Sequence, residues 1–185
     1  VRRPDGELVV VDYQWHRIWR IDKNGILRAL AGDGIAGNSG DGGLATEARL
    51  CHPHDMCQDQ QGNLYFSDLG NHTIRRIDYK TGIISRVAGN GKIGRGGDGG
   101  PALEAELDCT CGVAVDRQGN VYLSSEWTNN IRKIDINTGL VKTVFGHNAR
   151  HYPSEQGQSR PYAGKGLSLG GYHGDGGPAQ DAGFF

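Results

Sequence analysis

The stretch DGELVVVDYQWHRIWRID, residues 5–22, decides the fold because it recurs twice further along the chain. It returns as QGNLYFSDLGNHTIRRID at 61–78 and as QGNVYLSSEWTNNIRKID at 118–135, at offsets of 56 and 57 residues. A second marker repeats beside it as GDGGLATEARL from Gly40, GDGGPALEAEL from Gly97 and GDGGPAQDAGFF from Gly174. A period of this length indicates a repeat architecture in which each unit packs on its neighbours.

One period, taken from 50 to 89, has the pattern of four short strands. The apolar runs of four or five residues are 54–58, 64–67, 74–77 and 83–87. The segments between them carry Asp, Asn and Gly, which favour antiparallel hairpins. A parallel sheet would need a helix of about 10 to 15 residues between strands, and only the short PALEAEL segment from Pro101 offers one. The pattern predicts an all-β chain made of β-propeller blades with four antiparallel strands each.

Residues 112–135, GVAVDRQGNVYLSSEWTNNIRKID, resemble an NHL repeat, and the GDGGPA insert is similar to that of bacterial NHL-repeat proteins. Three copies carry the same strand pattern, so the resemblance covers nearly the whole chain apart from residues 147–173. It implies an NHL-type propeller of about three blades.

The repeats also divide the chain, which is predicted to be a single propeller domain. Blade one spans 1–31 and lacks its first strand, blade two spans 50–89, and blade three spans 107–146. Residues 147–173 are predicted to be an irregular loop insertion, and 174–185 to lead into a further blade. Because about three blades leave an open edge, two arrangements are expected: a fragment of a longer propeller, or two chains that close a six-bladed ring as a homodimer.

Composition restricts the partners. The chain has 20 basic and 21 acidic residues and a net charge of −1, so it has no overall field for a polyanion and nucleic acid is not expected. No apolar run approaches the roughly 18 residues of a membrane span, which predicts a soluble protein without a membrane partner. No signal-peptide pattern follows Val1, so a targeting segment is expected either outside this sequence or not at all, and an extracellular or periplasmic compartment stays open.

Antiparallel connectivity places two kinds of loop on one face of the disc: those that enter each innermost strand, and those between the second and third strands of a blade. This loop face is predicted to hold segments 51–54 and 108–111, the GDGG inserts and the 147–173 insertion, with the repetitive QGN and TG turns on the opposite face. Variable loops on a rigid scaffold usually carry function. The predicted binding residues are Trp15, His16, Asn71, His72, Trp127 and Asn129.

Recurrent charged positions are predicted to be structural. Asp41, Asp98 and Asp175 supply one carboxylate per GDGG loop, short of the roughly six to eight oxygens that calcium takes. We expect these carboxylates to cap the backbone that follows while the glycines take positive φ angles. The basic pairs at 75–76 and 132–133 are expected to pack their aliphatic stems and keep their charged heads in solvent.

Two histidines and two cysteines form the candidate metal set. His52 and His54 of blade two align with Cys109 and Cys111 of blade three, and all four are zinc-competent ligands. Aligned positions on neighbouring innermost strands converge on the propeller axis, so His54 and Cys111 are expected to approach the same axial region. Pro53-His54 also resembles the channel histidine motif of peptidylglycine amidating lyases, which implies a zinc ion in the channel, although those lyases use histidines from several blades.

Two functions are therefore predicted. The preferred one is a non-catalytic binding or scaffolding module for a protein or small-molecule ligand, with no cofactor. The alternative is a propeller lyase or hydrolase with zinc in its channel, which depends on His54 and Cys111. Because no complete set of nucleophile, base and orienting group is visible, no catalytic residue is assigned.

Overall fold

A computed structural model describes residues 1–128 and 130–146, in which three antiparallel sheets follow one another along the chain. The first sheet has three strands and the other two have four each. In chain order the strands are β1 (Leu8–Asp12), β2 (Arg17–Ile21), β3 (Leu27–Ala31), β4 (Pro53–Gln58), β5 (Leu64–Asp68), β6 (Thr73–Ile77), β7 (Ile84–Ala88), β8 (Thr110–Val115), β9 (Val121–Ser125), β10 (Asn130–Ile134) and β11 (Val141–Phe145). The prediction of an all-β chain of propeller blades is confirmed, and the three described blades do not close a ring.

Each sheet is a blade whose strands pair in chain order. Strands β4 and β8 are the first strands of blades two and three, and they contact each other across the blade interface. In blade one, Arg2 bridges Leu8 and Val9 donates a 2.7 Å backbone hydrogen bond to the carbonyl of Val1. The residues before β1 therefore pair with it where the other blades have a first strand.

Only short helices interrupt the strands in the described residues. They are three-residue 3-10 helices at Ala45–Glu47, Leu69–Asn71 and Ala102–Glu104. The long helices that a parallel sheet would need between its strands are therefore absent from this part of the chain. None of the helices among the described residues is long and apolar enough to cross a membrane.

Strand β5 shows how the core is built, because its alternating side chains serve two interfaces. Leu64 and Phe66 are buried in the apolar cluster between blades one and two, whereas Tyr65 is buried in the cluster between blades two and three. This is the two-residue period of a strand buried on both faces. Full burial of a side chain such as Phe66 contributes about 1.5–3 kcal/mol.

The GDGG inserts from Gly40 and Gly97 lie along the outer edge of a blade, which corrects the prediction that they sit on the loop face, while the insert from Gly174 is outside the described residues. Gly42 donates a 2.8 Å hydrogen bond to the carbonyl of Ile84, and Ile84 donates one of 3.0 Å to Gly43. Gly99 and Gly100 make the same pair of bonds with Val141. Each insert therefore covers the start of an outermost strand, whose backbone would otherwise present an unpaired edge.

The aspartates of these inserts bind arginines, and do not cap the following backbone as predicted. Asp41 accepts hydrogen bonds of 3.2 and 3.0 Å from Nε and Nη2 of Arg75, and Asp98 accepts one of 2.9 Å from Nε of Arg132. Arg75 is fully buried and also pairs with the buried Asp68 at 3.3 Å. The prediction of solvated heads is wrong for Arg75 and Arg132, because their guanidinium groups join each insert to the blade.

Candidate functional site

Two β-bulges lie at His54 and Cys111, near the start of the innermost strands. In β4 the pairing with β5 shifts between Pro53 and Met56, and in β8 the pairing with β9 shifts between Thr110 and Gly112. Cys111 is the extra residue of the second bulge. Bulges redirect side chains and occur often beside active sites.

A cavity of about 520 Å³ opens where the three blades meet, and both bulge residues line it. We call it the mouth cavity. Its lining residues are Val11, Tyr13, His54, Leu69, Cys109, Cys111 and Glu126. The expectation that His54 and Cys111 approach one axial region is confirmed, and Nδ1 of His54 lies 3.2 Å from the carbonyl oxygen of Cys111.

The repeat explains which residues reach the mouth cavity. The second strands of blades one, two and three end at Asp12, Asp68 and Ser125. The residue directly after each of them lines the cavity, and these residues are Tyr13, Leu69 and Glu126. The fold thus brings one position to the same place three times and fills it with an aromatic, an aliphatic and an acidic side chain. Sequence analysis placed the loop of Tyr13 on the loop face but assigned none of these three residues to a site, although the alignment of the copies shows them to be equivalent and variable.

Cys109, Cys111 and Glu126 form a compact cluster on blade three. The two Sγ atoms are 3.5 Å apart, and Oε2 of Glu126 lies 3.8 Å from Cys109 Sγ and 3.6 Å from Cys111 Sγ. Burial and the neighbouring thiol raise the pKa of Cys109 to about 12, and burial raises the pKa of Cys111. Without a bound cation, both sulfurs are therefore neutral thiols at neutral pH.

A second cluster, His16, Cys51 and His52, lies at the boundary of blades one and two. The Sγ atom of Cys51 is 3.5 Å from Nδ1 of His52, whose backbone amide donates a 3.1 Å hydrogen bond to Nδ1 of His16. The ring of His52 stacks on Tyr13 at 4.6 Å. The structure thus divides the four residues of the candidate metal set. His52 belongs to the cluster with His16 and Cys51, Cys109 and Cys111 belong to the cluster with Glu126, and His54 contacts the backbone of Cys111.

Four residues of the loop face have the left-handed backbone that L-residues rarely adopt. They are His16, His52, His72 and Cys109, with φ between 33° and 54°. His52 and Cys109 are equivalent in blades two and three, and His16 and His72 in blades one and two. Their recurrence shows that the fold requires this conformation, and each non-glycine residue there carries a backbone cost of about 1–3 kcal/mol.

The predicted binding residues have different environments. Trp15 is 70% exposed and Trp127 is 48% exposed, both in loops between second and third strands. The amide of Asn71 donates to the carbonyl of Gly37 at 2.7 Å and to Asp68 at 2.8 Å, so it joins blade two to the preceding linker. Burial lowers the pKa of His72. Asn129, the 147–173 insertion and the segment 174–185 lie outside the described residues.

The fold and the mouth cavity define a class, the repeat proteins built of four-stranded antiparallel blades around an axis. A family model described as the teneurin NHL domain matches residues 90–159. Curated relatives include teneurin-3 of Mus musculus, 36% identical over 99 residues, and the chloroplastic protein SUPPRESSOR OF QUENCHING 1 of Arabidopsis thaliana, 31% identical over 97 residues. A probable peptidyl-α-hydroxyglycine α-amidating lyase of Caenorhabditis elegans is 28% identical over 104 residues.

The teneurin-3 match covers 47% of this chain and 4% of the relative, and the SUPPRESSOR OF QUENCHING 1 match covers 52% and 9%. The match to the amidating lyase covers 56% of this chain and 28% of the relative. The chain thus spans less than a third of the length of each. Among solved structures, a Bacteroides thetaiotaomicron protein of unknown function matches with a TM-score of 0.60 and 26% identity, covering 70% of this chain and 32% of that one. Virginiamycin B lyase of Staphylococcus aureus, with a TM-score of 0.51, 15% identity and coverage of 77% and 39%, shows the fold alone.

The repeats recognised in the sequence, the blades of the structure and the match of residues 90–159 to the teneurin NHL domain model all support an NHL-repeat β-propeller.

Proposed function

We propose that this chain is a binding module whose ligand site is the mouth cavity on the loop face. The observation that carries the proposal is that all three described blades contribute side chains to one cavity of about 520 Å³. Cavities that bind small molecules typically measure about 300–1,000 Å³ and combine apolar walls with a few polar groups.

The walls of the mouth cavity differ in polarity, and this difference indicates the class of ligand. Blade one and the loop after β5 present the apolar side chains Val11, Tyr13 and Leu69. The opposite wall is polar, with the imidazole of His54 from blade two and the two thiols and the carboxylate of blade three. We therefore infer a small organic ligand with an apolar part and one polar group directed at blade three. The exposed Trp15 and Trp127 extend the surface on which a larger partner, such as a peptide, would continue.

Ligand-observed NMR with benzoate, benzamide, benzylamine and 4-methylimidazole as probes tests this proposal. The chain offers a matched pair of variants, because Tyr79 lines a second cavity of about 210 Å³ together with Arg3 on the opposite face. Tyr13→Ala should weaken binding of at least one probe by about tenfold or more, while Tyr79→Ala should leave it unchanged. Binding that responds only to Tyr79→Ala, or no binding by any probe, would contradict the proposal.

The second candidate function is a lyase or hydrolase that uses a metal ion in the mouth cavity. It is favoured by the thiols and the carboxylate on one wall, and by the amidating lyase among the relatives. The test is turnover of a peptidyl-α-hydroxyglycine substrate by the zinc-supplemented chain. Metal-dependent turnover that is lost on Cys111→Ser would favour the enzyme over the binding module.

A further inference from the structure

The cluster Cys109, Cys111 and Glu126 already has the spacing of ligands around a metal ion. A tetrahedral zinc ion with Zn–S distances of about 2.3 Å and a Zn–O distance of about 2.0 Å places two sulfurs about 3.8 Å apart, and a sulfur and an oxygen about 3.5 Å apart. In the cluster the two sulfurs are 3.5 Å apart, and the two sulfur–oxygen distances are 3.6 and 3.8 Å. Each distance lies within about 0.3 Å of the tetrahedral value, so such an ion fits after small side-chain shifts.

One rigid sheet holds all three ligands. Cys111 is the bulge residue of β8, and Glu126 follows β9, which pairs with β8 through Thr110 and Ser125. The backbone amide of Glu126 donates a 3.2 Å hydrogen bond to the carbonyl of Cys109, and the hydroxyl of Ser125 donates to the carbonyl of Asp108. This backbone pairing fixes the separation of the two loops, so little ordering is needed on binding.

His54 of blade two lines the same cavity as the cluster and contacts its backbone. When Nδ1 of His54 donates to the carbonyl of Cys111, at 3.2 Å, Nε2 keeps its lone pair. A backbone carbonyl that fixes the tautomer in this way is the usual second partner of a metal-binding histidine. His54 is not among the donor atoms that lie within 4.8 Å of one another, so the side of the cluster that faces the mouth cavity is open to a donor atom of a ligand.

The second cluster is a weaker candidate because its donor atoms are engaged. Nδ1 of His16 accepts the hydrogen bond of the His52 amide, and the ring of His52 is held between Tyr13 and His16. None of its three residues lines the mouth cavity.

We propose that Cys109, Cys111 and Glu126 bind Zn²⁺, with the fourth coordination position directed into the mouth cavity. Two thiolates select a thiophilic cation such as Zn²⁺ over Mg²⁺ or Ca²⁺. Three protein ligands and one open position are typical of zinc sites that also engage a small molecule. The zinc site stands on the cluster alone; only the assignment of the open position to the ligand rests on the proposed function.

Zinc titration of the reduced 185-residue chain against a chromophoric chelator tests the site. We expect one high-affinity Zn²⁺ per chain, and Co²⁺ should give a thiolate-to-cobalt charge-transfer band in the near ultraviolet. The double variant Cys109→Ser, Cys111→Ser should lose the band and weaken zinc binding by more than about 100-fold, and Glu126→Gln should weaken it by about tenfold. Cys51→Ser is the matched control and should retain both.

Several results would overturn the zinc site. The first is that the unmutated chain binds no zinc, which would exclude the site. The same holds if the double variant binds zinc as tightly as the unmutated chain, or if Cys51→Ser loses zinc binding and the double variant retains it. Far-UV circular dichroism checks that each variant is folded. If the double variant does not fold, the charge-transfer band of the unmutated chain and its change in Glu126→Gln decide the question.

Benzohydroxamate, a probe that coordinates zinc, separates this inference from the proposed function. If zinc binds but neither benzohydroxamate nor the other probes bind, the zinc site stands and the binding module fails. If the probes bind at Tyr13 and the chain takes up no zinc, the binding module stands and the zinc site fails. We expect benzohydroxamate to bind only to the zinc-loaded chain and to shift the visible bands of the cobalt form.

Discussion

Blades two and three share one backbone and differ at the axis. Both have four strands, a bulge in the first strand, and a buried arginine that binds the aspartate of an insert. At equivalent positions blade two presents His52, His54 and Leu69, whereas blade three presents Cys109, Cys111 and Glu126. The repeat fixes where side chains meet, and the difference between the blades shows that the chemistry there is set independently of the fold.

The largest expected contrast concerns the buried arginines. Arg75 is fully buried and forms ion pairs with Asp41 and with the buried Asp68, whereas Arg132 forms an ion pair with the partly exposed Asp98. Arg75→Met should lower the free energy of unfolding by about 3–5 kcal/mol, because it leaves the Asp68 carboxylate buried without a cation. Arg132→Met should cost less, about 1–3 kcal/mol.

Urea denaturation of both variants measures this difference. If both variants lose the same free energy of unfolding, Asp68 is solvated or protonated in the variant, and the two arginines contribute equally to stability. Burial raises the pKa of Asp68, so the double variant Arg75→Met, Asp68→Asn should recover part of the loss.

A second contrast is the reactivity of the thiols. Burial and the neighbouring thiol raise the pKa of Cys109 to about 12, and burial raises the pKa of Cys51. In metal-free protein at pH 8, iodoacetamide should alkylate Cys109 at least about tenfold more slowly than a free cysteine peptide, because the thiolate is the nucleophile. Glu126→Gln should speed the reaction by removing a nearby negative charge. Peptide mapping by mass spectrometry gives the rate at each site, and rapid labelling of Cys109 would refute this.

The left-handed residues provide a smaller contrast. Cys109→Gly should raise the free energy of unfolding by up to about 1 kcal/mol, because glycine adopts the required backbone without strain. His52→Gly should have almost no net effect, since it also removes the ring contacts with Tyr13 and His16, worth about 0.5–1.5 kcal/mol. Thermal unfolding compares the two. A clear loss of stability in Cys109→Gly would show that its side chain supports the fold.

The smallest contrast lies in the turns of the opposite face. Hydrogen bonds from the backbone and hydroxyl of Thr81 lower the pKa of Asp78 to about 2, and those from the backbone of Thr138 and Asn137 lower the pKa of Asp135. A carboxyl whose pKa is lower in the folded state stabilises the fold above its unfolded pKa of about 4, and this is lost as the pH falls towards 2. The free energy of unfolding, measured by urea denaturation at a series of acidic pH values, should depend less on pH in Asp78→Asn than in Asp135→Asn. Identical curves for both variants and the unmutated chain would contradict the prediction.

The sequence by itself predicted the blades because strand and turn patterns are local. The alternation around Phe66 and the turn before Leu64 are set within a few residues, and the copies at 5–22, 61–78 and 118–135 repeat that local pattern. The strands of blade two consequently fall within a residue of their predicted bounds. The convergence of His54 and Cys111 was also predicted, since it follows from aligning one repeat on the next.

Tertiary structure alone decided what those residues meet. The ion pair of Arg75 with Asp41 spans 34 positions, and the pairing of each insert with an outer strand depends on where the chain crosses the blade edge. Sequence analysis assigned His52 and Cys109 to one set, but side-chain direction at a bulge and at a left-handed residue placed them in separate clusters. Glu126 completed one of them because two loops of the same blade end side by side, a proximity that only the folded sheet creates.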